Sequence, residues 1–383
     1  MHIQKKILLG SLVASLFSVG AHAHEEKAKE GLTYNSGVNS VTLYGLFDLT
    51  VARKTNADTK GNSGVNLQDD PWFSASRWGL KGQRDMGDGL SAIFKLESEF
   101  APTTGKENDK AFFNRDAWAG FQSQDWGKLT VGRQNGLARD FSSIYADPYS
   151  KAQLDLEEGG YTNANNFKQL VSYVGSRNDR SIVWKKEFGP VVAGLGYKFG
   201  GVDGDINQGS VRSAALAYNG NGFSTSTSFT KANVAGLMHS TGTIGGNLQV
   251  NPLLRLNAGY FAFNADQGAL GQRKDDVYTL SANFTPKGKV GYALGYQVTD
   301  VSNAALNASG VAFNPMQAVS APALGRANGK SKTHYASAIY SYDKLTDFYV
   351  AADHLKLDQA SLSSAANGQT SQTELAVGVR LKF

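Results

Sequence analysis

Apolar side chains alternate with polar or small ones along most of this chain. In residues 375–383 the odd positions carry leucine, valine or phenylalanine, and the even positions carry alanine, glycine, arginine or lysine. Residues 290–298 and 191–199 repeat the alternation, with aliphatic and aromatic residues on one face and mainly glycine or polar residues on the other. A period of two places the two sets on opposite faces of a strand, so the pattern predicts β-structure.

The alternation recurs over segments of similar length, as expected for a membrane barrel in which lipid-facing and lumen-facing residues alternate. Beyond the N-terminus there is no run of apolar residues near the roughly 18 that a transmembrane helix needs, which excludes a helical bundle. Sixteen segments, an even number, are predicted as strands: residues 40–53, 74–87, 89–101, 110–124, 127–135, 179–188, 190–201, 210–220, 222–232, 239–250, 252–265, 275–286, 288–301, 331–343, 345–357 and 371–383.

The connections between these strands alternate in length. Every second one is a short turn rich in glycine, asparagine or proline, such as residues 86–89, 125–127 and 219–222. Short turns at one end and long loops at the other are typical of an outer-membrane barrel, and sixteen strands leave an aqueous lumen. We therefore predict an all-β fold, a 16-stranded antiparallel transmembrane β-barrel. Its longer connections are residues 54–73, 136–178, 266–274, 302–330 and 358–370.

The N-terminus has the three parts of a secretory signal peptide. Lys5 and Lys6 form a positive region, residues 7–19 form a short apolar core, and Ala21-His22-Ala23 is a small-residue cleavage site. The predicted organisation is a signal peptide at 1–23, a polar periplasmic lead-in at 24–39 and one barrel at 40–383.

Charge and composition exclude several functions. The formal net charge of +5 includes Lys5 and Lys6, and the weak basic excess that remains is not the footprint of a nucleic-acid-binding protein. The chain has no cysteine, and after residue 23 its histidines are His24, His239 and the pair His334 and His354, in no shared motif. No nucleophile–base pattern, phosphate loop or metal-spaced cluster is present. We therefore expect a channel without catalytic residues, metal or cofactor, and not an enzyme.

Several segments resemble the general porins of Gram-negative outer membranes, especially the beta-proteobacterial type. The final Phe383 is similar to the C-terminal aromatic residue that the barrel-assembly machinery reads in such proteins. The matching segments are Ser40-Val-Thr-Leu-Tyr-Gly-Leu-Phe-Asp48, Ser76-Arg-Trp-Gly-Leu-Lys-Gly82 with Met86-Gly-Asp-Gly-Leu90, and Phe113-Asn-Arg-Asp-Ala-Trp-Ala-Gly-Phe121 with Gly127-Lys-Leu-Thr-Val-Gly-Arg-Gln134.

The resemblance implies a homotrimer in which each barrel has its own pore for passive diffusion of small hydrophilic solutes and ions. Its partners would be outer-membrane lipid, lipopolysaccharide and the barrel-assembly machinery. The alternative is a substrate-specific channel for sugars or organic acids, which would carry a track of aromatic residues along the lumen. Tyr44 and Phe261 face inward by parity, which is too few to decide.

The resemblance also implies a third extracellular loop folded into the barrel, for which residues 136–178 form the longest connection. Acidic residues on this loop would face a basic wall and set a transverse field that orients solutes. The expected wall residues are Arg77, Lys81, Lys95, Arg115 and Lys185, and the expected loop residues are Asp140, Asp147, Asp155, Glu157 and Glu158.

This chain departs from the family pattern on its sixth strand, where a third arginine is often found. Ser181 or Val183 occupies that place, and Lys185 is the candidate substitute. Arg133, at the outer end of the fifth strand, has two interpretations: a bridge to a neighbouring subunit or a salt bridge within the rim. The net charge suggests a mild preference for anions. Aromatic residues suited to the two interfacial belts are Trp118, Trp126, Trp184, Tyr197, Tyr260, Tyr278, Tyr292 and Phe383.

Overall fold

A computed structural model describes residues 31–107, 111–162, 170–319, 323 and 325–383. The predicted signal peptide, residues 1–23, and the lead-in up to residue 30 lie outside the described residues. The strands are β1 (Leu32–Ser36), β2 (Asn39–Lys54), β3 (Gly64–Leu67), β4 (Arg77–Asp85), β5 (Leu90–Glu99), β6 (Asp116–Ser123), β7 (Gly127–Asn135), β8 (Arg177–Phe188), β9 (Val191–Lys198), β10 (Val211–Asn219), β11 (Phe223–Val234), β12 (Leu237–Asn251), β13 (Leu254–Asp266), β14 (Gln272–Phe284), β15 (Val290–Ala305), β16 (Arg326–Ser341), β17 (Thr346–Leu357) and β18 (Ser371–Lys382).

Among the described residues, two α-helices follow β7, namely α1 (Leu137–Ala146) and α2 (Val171–Val174). Single turns of 3₁₀-helix are seen in later connections, at Gly268–Leu270, Ala360–Leu362 and Ser364–Ala366. Within the described ranges, no helix is long and apolar enough to cross a bilayer.

Sixteen of the strands form one closed antiparallel barrel, as predicted. β2 pairs with β4, each strand from β4 to β18 pairs with the next, and β18 pairs back onto β2. Closure leaves no unpaired strand edge in the wall, which is the condition for a sheet to exist in lipid. The strand ends differ from the prediction by a few residues: the segment predicted at 110–124 is shorter, and the segment predicted at 331–343 begins earlier, at Arg326.

Two short strands extend the barrel and were not predicted. β1 pairs with the first residues of β2, from Leu32 opposite Leu43 to Ser36 opposite Asn39. β3 pairs with the last four residues of β2. Both are too short, at five and four residues, for a period of two to be recognised in the sequence.

The two faces of the wall have opposite polarity. In β11, Phe223 and Phe229 are exposed on the outside, whereas Ser224, Ser226 and Ser228 are buried inside. The same alternation leaves Leu294 62% exposed on β15, although it is a large apolar residue. An apolar outside and a polar inside identify a barrel whose outer surface suits lipid and whose interior suits water.

The third long connection folds into the barrel. All ten residues of α1 are buried, and Phe141, Ile144 and Tyr145 pack against inward-facing residues of β9 to β13. Gly245 and Gly259 leave the space that the Tyr145 ring fills, because a Cβ atom at either position would collide with that ring. Helix α1 therefore narrows the lumen from one side.

The first long connection also enters the lumen, which the sequence did not indicate. Trp72 and Phe73, both almost fully buried, pack with Tyr149 from the third connection and with Tyr349 from the wall. The ring of Phe73 lies 4.6 Å, centre to centre, from each of the two tyrosine rings. The two inward connections thus support one another on the β16–β18 side of the barrel.

Candidate pore constriction

A cavity of about 510 Å³ remains between the inward connections and the wall formed by β4, β5, the start of β8 and β18. It is open to solvent and strongly charged. Seven basic and six acidic side chains line it: Arg77, Lys95, Arg115, Arg139, Lys151, Arg177 and Arg380, with Glu97, Glu99, Asp147, Asp155, Glu157 and Glu158.

Arg77 and Arg115, predicted for the basic wall, line this cavity, but they meet carboxylates of the wall itself. Arg115 pairs with Glu97 and, at 2.5 Å, with Glu99. The Arg77 Nε atom lies 3.6 Å from Glu97. Glu97 and Glu99 were not selected from the sequence. Both lie at alternate positions from Lys95 on β5, so the alternation places them on the same inward face and could have identified them.

Lys95 connects the wall to the loop. Its Nζ atom lies 2.5 Å from a carboxylate oxygen of Glu158 on the third connection and 2.7 Å from Asp116 on β6. Burial of Glu158 opposes its ionisation, but the attraction of Lys95 prevails and lowers the pKa of that carboxyl. The loop acid and the wall base are therefore in contact rather than separated by a water-filled gap.

Lys185 and Asp140 form a second connection, and it is buried. They are paired, with only 6% and 2% of their side chains exposed. Asp140 also accepts hydrogen bonds from the side chain of Asn135 and the backbone of Gly159, both at 2.9 Å. This pair fastens the third connection to β8 and does not line the open cavity.

The other predicted loop acids have different surroundings. Glu157 lies 3.3 Å from Lys128 of β7, and Asp155 pairs with Lys151 at the exposed tip. Asp147 is buried and accepts backbone hydrogen bonds from Tyr149 and Thr162.

Burial raises the pKa of Asp147 to about 6, although those hydrogen bonds work against the shift. Lys81 lies outside the cavity, exposed, with its Nζ atom 5.5 Å from the centre of the Tyr44 ring.

Three cavity-lining arginines were missed by sequence reasoning. Arg177 begins β8 and contacts Asp116 at 3.1 Å; it lay inside the segment predicted as loop. Arg139 lies on α1, in the connection expected to be acidic. Arg380 on β18 shares its inward parity with Lys382, which the alternation at the C-terminus did reveal.

Three further predicted residues are placed as follows. Arg133 has its partners within the chain: Asp179 at 2.5 Å and the backbone oxygen of Asn114. The backbone of Phe383 pairs with Gly45, and its ring covers that glycine. Trp118 was wrongly assigned to an interfacial belt, since it is 7% exposed and faces inward, where Lys128 lies over its ring.

Among the residues with described positions, no cluster of three or more His, Asp or Glu side chains is arranged to hold a metal ion. The fold and the charged cavity together define a class: a transmembrane β-barrel with a polar lumen narrowed by inward connections.

Comparison with known proteins identifies the family. A family model described as Gram-negative porin matches residues 10–360. An outer-membrane porin of Bordetella pertussis is 30% identical over 217 residues, which are 53% of this chain and 50% of that protein. Outer membrane porin protein 32 of Delftia acidovorans is 31% identical over 169 residues, 42% of this chain and 44% of that protein.

The fold is shared with solved structures. The anion-selective porin from Comamonas acidovorans has a TM-score of 0.66 and 22% identity, over 90% of this chain and 100% of that one. The chain spans about half the length of the first of the curated relatives and less of the second. It belongs to the Gram-negative porin family and crosses the outer membrane as a barrel.

Proposed function

We propose that this chain forms a water-filled channel through which small hydrophilic solutes and ions diffuse passively, and that it is not an enzyme. The observation that carries the proposal is the open, charged cavity inside a closed barrel. Both signs of charge line it at short range, which suits the passage of ions and polar solutes.

A substrate-specific channel for sugars or organic acids is less well supported. Several inward aromatic residues are occupied in packing: Phe261 is fully buried beside Tyr145, and Trp72 and Tyr349 hold the first connection in place. Rings used in this way cannot form an accessible track for sugars.

Liposome swelling with neutral sugars of increasing size tests the proposal. We expect uptake to fall smoothly with sugar size and to show no preference among isomers. Preference for one isomer, or saturation of its uptake, would favour the specific channel instead.

We further propose that Arg77, Arg115 and Lys95 are the wall of the constriction and that Glu157 and Glu158 are its loop side. Asp140 and Lys185 act by holding the loop in place. The near balance of seven bases and six acids around the cavity supports at most a mild anion preference. A reversal potential measured in a salt gradient tests this, and cation selectivity would contradict it.

We propose a homotrimer in the outer membrane, in contact with lipid and lipopolysaccharide, after removal of residues 1–23. A trimer form has been solved for OmpT of Vibrio cholerae, a protein with the same fold. The contact of Phe383 with Gly45 supports a role for the C-terminal residue in barrel assembly. Mass determination of the purified protein in detergent tests both the trimer and the cleavage site.

A further inference from the structure

Arg139 is a buried arginine without an ion-pair partner among the described residues. It lies on α1, 8% of it is exposed, and it lines the constriction cavity. In the part of the chain that the structure describes, its Nε atom has no hydrogen-bond partner, and no carboxylate lies within 4 Å of its guanidinium. Its guanidinium carbon lies 5.8 Å from the centre of the Tyr161 ring.

The groups that face Arg139 make its charge more costly. Burial, then the positive charges of Arg177 and Arg115, lower the pKa of Arg139 to about 10. The carboxylates near those two arginines are already engaged, since Glu97 pairs with Arg115 and Asp116 with Arg177 and Lys95.

Asp140, the acid next in sequence, attracts Arg139 but is not paired with it. Asp140 is committed to Lys185, Asn135 and Gly159. A buried charge with no partner destabilises the fold, so removing it should not reduce stability. A structural role therefore does not explain Arg139, whereas an ionisable group with unmet hydrogen-bonding capacity in an open cavity is typical of a ligand site.

We propose that Arg139 forms a binding subsite inside the pore for an oxyanion group, carboxylate or phosphate, carried by small solutes. A guanidinium presents parallel N–H donors that match two oxygens of such a group. The inference deepens the proposed function, because it requires solutes to enter the lumen. It places the anion contact on the inward loop, since the wall arginines are neutralised by the wall's own acids.

Saturation-transfer NMR with succinate on the detergent-solubilised protein tests the subsite directly. We expect saturable binding that Arg139→Gln weakens by about tenfold or more, the usual effect of losing a hydrogen bond to a charged group. Arg139→Lys keeps the charge but loses the paired donors, so its affinity should be intermediate. Arg84→Gln is the matched control, since Arg84 is exposed on the opposite face of the wall, near the short-turn end of β4.

If Arg139 had a merely structural role, Arg139→Gln would lower the thermal midpoint. The subsite proposal predicts instead that the midpoint of Arg139→Gln equals or exceeds that of the wild type, because the change removes an unpaired buried charge. Equal succinate affinity in wild type and Arg139→Gln, or no binding by the wild type, would overturn the subsite. If the protein bound succinate but conducted no ions, the Arg139 subsite would be supported and the proposed channel function would be rejected. The two proposals can therefore be refuted independently.

Discussion

The buried pair of Asp140 and Lys185 controls how firmly the third connection is held inside the barrel. Asp140→Asn keeps an oxygen that Asn135 and Gly159 can donate to, but it leaves the ammonium of Lys185 without its carboxylate. That ammonium also donates a hydrogen bond to the backbone oxygen of Glu157, at 3.2 Å, which is a neutral acceptor. The substitution thus isolates the charge while changing the shape very little.

Breaking one side of a buried ion pair costs about 3–5 kcal/mol, because the other charge remains buried. One factor of ten in an equilibrium corresponds to about 1.4 kcal/mol. The population of molecules with a detached loop should therefore rise by about two to three and a half orders of magnitude. The barrel itself, held by sixteen paired strands, should stay closed.

Single-channel recording in planar bilayers measures this change. Wild-type channels should show one narrow conductance level, and Asp140→Asn channels should fluctuate to larger levels as the loop leaves the lumen. The double variant Asp140→Asn with Lys185→Met is the control, since it removes both charges and should restore a quiet channel. If Asp140→Asn and wild-type recordings were indistinguishable, the pair would not hold the loop.

Three further changes have defined outcomes. Gly45→Leu should collide with the Phe383 ring, cost about 1–3 kcal/mol and reduce the heat-modifiable, folded fraction on gels; full folding would contradict the contact. Glu97→Gln should raise the ratio of chloride to potassium permeability by up to about fivefold, because the interaction between an ion and a unit charge 4 Å away in water is about 1 kcal/mol. An unchanged reversal potential would argue against Glu97 as a selectivity residue. Because the pKa of Asp147 is raised to about 6 in the fold, the folded state binds its proton first, so stability should increase as pH falls from 7 to 5. Thermal midpoints of Asp147→Asn should lack this increment, and a parallel increase in both proteins would contradict it.

The barrel could be predicted from the sequence because its determinants are local. Lipid requires an apolar residue at every second position, and this requirement is visible in segments such as 290–298 without any knowledge of partners. The same dependence on a local pattern explains why β1 and β3 were missed: they have five and four residues, which is too short for the alternation to be recognised.

The constriction was only partly predictable, because its pairing depends on how two inward connections meet the wall. The resemblance to general porins placed Arg77 and Arg115 on the basic wall, but it did not show that Glu97 would lie between them. The burial of Asp140 depends on the fold of α1, which the strand pattern does not contain. Trp118 was misassigned because tryptophan type was given more weight than its parity.

The central claim is that a continuous aqueous path runs through the barrel. The most direct test is the conductance of the purified, folded protein in a planar bilayer as potassium chloride concentration is raised. Conductance steps that grow in proportion to salt concentration are expected, since ions would cross in bulk-like water. A protein that is folded by its heat-modifiable mobility yet gives no steps at any salt concentration would contradict the claim.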